Sequence, residues 1–179
     1  MQKYISLLRG INVSGQKKIK MDALRDLYAS LGFTNVKSYI QSGNVIFESD
    51  ESNVSSLVQR IESKIEQVYG FSVPITLRTS AQMLFVLENN PFLGERQEEI
   101  KQLYVTFFLK SPDKTRLNDL TQYATKAEEF HLNGQEMYLF YPNGTGRSKL
   151  SNNLIERKLG ISATTRNWRT VNKLVELSI

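Results

Sequence analysis

The sequence predicts an α+β protein built from two copies of one β-α-β-β-α-β unit. Three observations carry this. The order strand, helix, strand, strand, helix, strand is met twice along the 179 residues. Each run is followed by one more helix. Gly70-Phe71-Ser72 before Arg78 takes the same place in the first half as Gly160-Ile161-Ser162 before Arg166 in the second. A split β-α-β unit of this kind folds as an antiparallel four-stranded sheet with helices on one face. The expected architecture is therefore two ferredoxin-like lobes related by internal duplication, residues 1–90 and 103–179, joined by a linker over 91–102. A lobe of under about 90 residues is marginal alone, so the two are expected to pack together, with the ligand site in the groove at their junction.

Taken in order, Tyr4-Ile5-Ser6-Leu7-Leu8 is an apolar run of strand length. A loop from Arg9 to Lys20 follows, longer than most βα connections. Met21, Leu24, Leu27, Tyr28 and Leu31 repeat at helical spacing before Gly32. Val36–Ile40 and Asn44–Glu48 flank Gln41-Ser42-Gly43, whose glycine can supply the positive φ of a hairpin. Ser52 or Asn53 can cap the helix marked by Leu57, Ile61, Ile65 and Val68. Val73–Arg78 is a strand, and Ser80 can cap a short helix that stops near Pro91. The linker holds Glu95, Glu98 and Glu99.

The pattern then restarts. Leu103–Leu109 is a strand, and Ser111-Pro112 supplies an N-cap with Pro at the first helical position. Leu117, Leu120 and Tyr123 give that helix its apolar face. Asn133-Gly134 makes a hairpin of Phe130–Leu132 and Met137–Tyr141. Tyr138 and Phe140 share one strand face, expected to be the helix-covered one. Leu154, Ile155 and Leu159 mark a helix ended by Gly160, and Ile161–Thr165 a short strand. Trp168, Val171, Leu174 and Val175 mark a last helix with Trp168 in the core, which Asn167 can cap.

An apolar share of 40% with 23% charged residues is an ordinary soluble mix. Cysteine is absent and His131 is the single histidine, which removes thiol nucleophiles, thiolate metal sites and histidine relays. No metal and no cofactor are expected. No secretory signal or membrane-length apolar run appears, so the expected location is the cytoplasm, without a membrane partner. The net charge of +5 is unevenly placed. Lys3, Arg9, Lys17, Lys18 and Lys20 occupy the first twenty residues without an acid. Arg147, Lys149, Arg157, Lys158, Arg166, Arg169 and Lys173 stand against Glu156 alone in 142–173. Such polarity suits a phosphate-rich or carboxylate-bearing partner.

Within those segments, Gly144-Thr145-Gly146-Arg147-Ser148-Lys149 precedes a helix, where convergent N–H groups and fixed charge can hold an anion. Ser148 or Ser151 can equally be that helix's N-cap, which needs no ligand. Gly10-Ile11-Asn12-Val13-Ser14-Gly15-Gln16-Lys17 approaches a nucleotide-binding loop, but Gln16 stands where Lys is needed and Lys17 where a hydroxyl must hold magnesium. Arg9, Asn12 and the lysines there can still contact phosphate. Arg166 and Arg169 can fork onto phosphate or carboxylate. Gln41, Ser42 and Asn44 sit at a hairpin tip, where turn chemistry explains them as well as ligand contact does.

Four stretches together resemble a known family: Leu7-Leu8-Arg9-Gly10-Ile11-Asn12-Val13, Tyr39-Ile40-Gln41-Ser42-Gly43-Asn44-Val45, Gly146-Arg147-Ser148-Lys149-Leu150, and Ala163-Thr164-Thr165-Arg166-Asn167-Trp168-Arg169-Thr170-Val171. They are similar to the signatures of a bacterial family catalogued as domain of unknown function sixteen-ninety-seven. The resemblance implies an α+β protein and carries over no activity. This chain adds the pair Lys17-Lys18 to the first loop.

The leading expectation is binding of a phosphorylated ligand, a nucleotide or a nucleic acid, in a basic inter-lobe groove lined by Arg9, Asn12, Gln41, Asn44, Arg147, Lys149, Arg166 and Arg169. One alternative is an enzyme acting on a small anionic substrate through Ser42, Ser148 or Thr165, although no general base stands out. Another is a structural or protein-interaction module whose basic motifs only cap helices and bridge the lobes.

Overall fold

A computed structural model describes residues 1–94 and 97–179, without the side chains of residues 97–99. Of the expected linker, Glu95 and the side chains of Glu98 and Glu99 therefore lie outside the described residues. The chain divides into two compact units, Met1–Leu84 with Leu174–Ile179, and Phe85–Lys173. The protein is mixed α+β, with two four-stranded antiparallel sheets and, among the described residues, six α-helices.

In the first unit β1 (Gln2–Leu8) lies between β3 (Asn44–Ser49) and β4 (Ile75–Thr79), with β2 (Thr34–Tyr39) outside β3. The register sets Tyr4 opposite Phe47 and Thr79, and Ile5 opposite Ile46 and Arg78. Strand alternation sends Tyr4, Leu8, Val45, Phe47, Ile75 and Leu77 to one face. There they meet Leu24, Leu27 and Tyr28 of α1 (Met21–Ser30) and Leu57, Ile61 and Ile65 of α2 (Val54–Tyr69). The helical periodicity read in the sequence is thus the periodicity of the core. Tyr28 is enclosed, and its hydroxyl lies 2.7 Å from Ser6 Oγ, which satisfies two polar groups that would otherwise be stranded in apolar surroundings. Asn53, rather than Ser52, caps α2, its Oδ1 accepting from the Ser56 N–H. β4 runs directly into α3 (Ser80–Glu88). Thr79 caps it in reciprocal fashion: Thr79 Oγ1 accepts from the Gln82 N–H and Gln82 Oε1 from the Thr79 N–H. The expected cap, Ser80, instead donates to the Ser178 carbonyl.

The second unit repeats the strand order with β5 (Leu103–Phe108) between β7 (Glu136–Phe140) and β8 (Ala163–Asn167), and β6 (Glu129–Asn133) outside β7. Two expectations change here. The helix expected from Ser111 is a 3-10 turn over Lys114–Leu117 followed by the single turn of α4 (Asn118–Thr121). The reason is Asp113, whose Oδ1 accepts from both the N–H and the hydroxyl of Thr115, closing a tight local turn ahead of the helix. Those bonds hold the Asp113 carboxyl below its usual range. Tyr138 and Phe140 also take the face opposite to the expected one. Met137, Leu139 and Tyr141 pack with Leu154, Ile155 and Leu159 of α5 (Asn152–Leu159), and a period of two leaves Tyr138 and Phe140 on the other side. The Tyr138 hydroxyl donates to the Val86 carbonyl. Trp168 opens α6 (Trp168–Ser178) and is buried, as expected. Among the described residues no helix is long and apolar enough to cross a membrane.

Candidate functional site

Two distant motifs of the first unit fold against each other. After β1 the chain turns through Gly10 and Asn12, while β2 and β3 are joined by Ile40-Gln41-Ser42-Gly43. Gly43 has φ +81°, and a Cβ there would lie 2.6 Å from Ile11 Cδ1 and 2.9 Å from Leu8 Cβ. Only glycine lets the hairpin approach the end of β1 this closely. The Gly43 carbonyl accepts from the Leu8 N–H at 2.9 Å. Asn12 completes the junction: its Nδ2 donates to the carbonyls of Gln41 (2.8 Å) and Ile19 (2.9 Å), and its Oδ1 accepts from the Ile19 N–H. Asn12 (φ 55°), Ser14 (φ 50°), Lys17 (φ 45°) and the β-branched Ile40 (φ 51°) are all left-handed. Such residues persist only where the surroundings enforce them.

By pinning Ile19 and Gln41 together, Asn12 shapes a cleft of about 700 Å³ lined by Asn12, Lys18, Ile19, Lys20, Met21, Asp22, Ala23, Gln41 and Tyr69. The first turn of α1 forms one side. Lys20 occupies its N-cap position and no side chain caps it. Lys is an uncommon residue there, because it offers no acceptor to the exposed N–H groups. Lys18 and Lys20 are exposed, and the one carboxylate of the lining, Asp22, is paired with Arg25. Aromatic chemistry lines another side: Tyr69 ends α2, and Gly70, left-handed at φ 75°, turns the chain so that Phe71 stacks on it, with centroids 5.8 Å apart and ring planes inclined by 28°. The Lys17 ammonium lies 6.0 Å from the Phe71 centroid and donates to the Ser72 carbonyl at 2.7 Å.

Of the residues expected in a site, Asn12 and Gln41 line this cleft. Arg9, half-buried just after β1, gives its N–H to the Pro74 carbonyl and is not among the lining residues. Asn44 is fully buried, its Nδ2 donating to the Tyr39 carbonyl and Ser42 Oγ, so it closes the hairpin from inside. Lys20 and Tyr69 are not site residues on the sequence reading. The signals that could have found them are a lysine where a cap belongs and an aromatic pair around a helix-ending glycine.

The second unit treats its basic motifs differently. Arg147 and Lys149 are exposed around a 3-10 turn over Thr145–Arg147. Ser148 Oγ accepts from the Leu150 N–H, and Ser151 Oγ accepts from the Leu154 N–H and so caps α5. Arg166 is 9% exposed and donates to the Thr165 carbonyl; Arg169 is exposed and joins Ile100, Lys101, Tyr104 and Asn167 around a smaller hollow of about 360 Å³. Asn167 Oδ1 accepts from the Thr170 N–H and caps α6. Thr165, a candidate hydroxyl, sits between Thr106 Oγ1 and Asn152 Oδ1 at 2.7 and 2.6 Å. Among the described residues no group of three or more His, Asp and Glu gathers to hold a metal ion.

Two antiparallel sheets, and a lysine-lined cleft where a loop and a hairpin lock together, define this as an α+β protein with a basic cleft at the start of its first helix. Its residues 1–138 match the family described as Protein of unknown function (DUF1697), and the chain belongs to that family. The two motifs that lock together fall within the matched residues, and those around Arg147 and Arg166 fall beyond them. The conserved bacterial protein SP0830 from Streptococcus pneumoniae is similar in structure, with a TM-score of 0.79 and 24% identity over 99% of each chain, which shows a shared fold. No curated protein matches the chain.

Proposed function

We propose that the protein binds a phosphorylated ligand in the cleft at the start of α1. The observation that carries this is the open first turn of α1, with Lys20 at the cap position, facing a cleft that Lys18 and Lys20 also line. Uncapped N–H groups, the positive end of the helix and two ammonium groups all favour an anion at one place. Asn12 acts by holding the cleft's walls rather than by touching the ligand, since its amide is already bonded. Lys18 and Lys20 face the phosphate directly, and the one carboxylate of the lining is already paired.

The test is calorimetric titration with inorganic pyrophosphate at low and moderate salt. A Lys18→Ala, Lys20→Ala variant should bind at least tenfold more weakly. An Arg147→Ala, Lys149→Ala control, which removes the same charge from the second unit, should bind like the unaltered protein. Equal binding by the Lys18, Lys20 variant sinks the proposal. Short single-stranded RNA in place of pyrophosphate, with affinity that falls steeply as salt rises, would make the ligand a nucleic acid.

We infer that the units are ferredoxin-like and descend from one duplicated unit. Both have the same strand order. Tyr4 and Tyr104 pair with the helix-capping residues Thr79 and Asn167, and the next pairs inward are Ile5 with Arg78 and Val105 with Arg166. Each of these arginines is buried and donates to the carbonyl of the residue before it.

A further inference from the structure

We propose that the cleft takes a mononucleotide, with its planar base against Tyr69 and its phosphates against Lys18 and Lys20. The inference rests on the phosphate reading above and adds the ring. A bare phosphate would use only the lysine side of the cleft. Its volume of about 700 Å³, however, leaves room for a much larger molecule, and Ile19, Met21, Ala23 and Tyr69 give the remainder an apolar and aromatic lining.

Tyr69 is suited to this role because it is already part of a layer. Phe71 covers it on one side, and the Lys17 ammonium lies over Phe71 in turn. The layer is fixed at both ends: Gly70 sets the turn that brings the two rings together, and Lys17 is tied to the Ser72 carbonyl. A base entering the cleft therefore adds one more plane to an ordered stack and immobilises little that is not already held. Stacking of this kind tolerates any base, because every base has a π face. Gln41, exposed on the hairpin held by Asn12, is placed to contact the polar edge or the ribose of what binds. A sugar phosphate or a polyphosphate would leave the Tyr69 side of the cleft unused.

The experiment compares inorganic pyrophosphate, adenosine and adenosine diphosphate by calorimetry, using the full chain and its Tyr69→Leu and Tyr69→Phe variants. Leu keeps the apolar packing of Tyr69 against the first core while removing the π face, and thermal unfolding checks that it does so. The diphosphate nucleotide should bind about tenfold more tightly than pyrophosphate, in line with the usual worth of one stacked base. Tyr69→Leu should remove that advantage and leave pyrophosphate binding intact, and Tyr69→Phe should keep it. Base protons of the bound nucleotide should also move upfield in the NMR spectrum of the unaltered protein, a ring-current effect that a structural role for Tyr69 cannot produce. Equal affinity for nucleotide and pyrophosphate, or an advantage that survives Tyr69→Leu without the upfield shift, overturns the inference and leaves the phosphate reading standing. No binding by either compound, or binding that persists in the Lys18→Ala, Lys20→Ala variant, overturns both.

Discussion

The starts of α1 and α5 look alike in sequence and differ in structure. Each follows a stretch with glycines, hydroxyls and lysine or arginine. Before α5, however, Ser151 turns its hydroxyl back onto the Leu154 N–H, and Ser148 does the same for Leu150. Before α1 no such acceptor exists, because Lys20 stands at the cap. Glycine and positive charge describe both segments; the residue at the cap decides whether the helix end is closed by a side chain or left open. The neighbouring structure differs in the same sense. The α1 loop is locked to a second motif through Gly43 and Asn12, and this lock builds a cleft.

The largest effect is expected at high pH, since α1 carries a buried tyrosine in its last turn and α5 has one beside its start. Tyr28 lies on α1 against Ser6, and the Tyr141 hydroxyl donates to the Leu150 carbonyl, one residue before Ser151. Burial raises both phenols above their ordinary value of 10.0. Below that value both folded and unfolded chains hold the protons, so the contribution is fully present. Above it the unfolded chain loses them first and stability falls as pH rises. For Tyr28 the expected slope is about 1.4 kcal/mol per pH unit. Urea unfolding from about pH 8 to about pH 11, spanning the ordinary phenol value, checks this, with ultraviolet absorbance reporting phenolate. Phenolate forming well before unfolding would show that the tyrosines are accessible.

Next in size is Gly43→Ala, which combines a left-handed backbone with a Cβ driven against Ile11 and Leu8. A loss of about 2–4 kcal/mol is expected. Gly146→Ala is the control in the other loop: nothing lies within 4 Å of its added Cβ, and its φ is outside the left-handed range. Denaturant unfolding of the two should differ sharply, and equal stability would mean that the hairpin and loop are not locked. Asn12→Ala should cost about 2–3 kcal/mol, because it strands the carbonyl of Gln41 and both backbone groups of Ile19 and puts Ala in a left-handed conformation. It should also weaken pyrophosphate binding without removing any charge.

The smallest effects sharpen the contrast most directly. Ser151→Ala should cost about 1 kcal/mol by uncapping α5. Lys20→Ser should do the reverse at α1, adding a few tenths to about 1 kcal/mol of stability while weakening pyrophosphate binding. Thermal melts and calorimetry on the two variants decide; a Lys20→Ser protein that is more stable and binds undiminished would separate the helix end from the site.

Sequence by itself determined what depends on local pattern. The period-two and period-3.6 apolar runs mark the strands, α1, α2, α5 and α6, since burying one face is the condition for each to form. Asn53, Ser151 and Asn167 were readable as caps because a cap acts on residues two or three positions away. The same locality explains where sequence and structure part: Thr79 and Asp113 make the turns expected of Ser80 and Ser111, near neighbours with similar propensity. Tyr138 and Phe140 needed the register of β7 against β5, which a one-residue slip inverts. Only the tertiary structure decided the site. The contact of Gly43 with Ile11, the amide of Asn12 on the Gln41 carbonyl, and the arrival of Tyr69 in one cleft with Lys18 and Lys20 all join residues far apart in the chain. Glycine and positive charge alone do not tell the two basic loops apart; the cap residue, Lys20 or Ser151, does so locally, while the cleft beside the first loop is built by partners the chain brings from a distance.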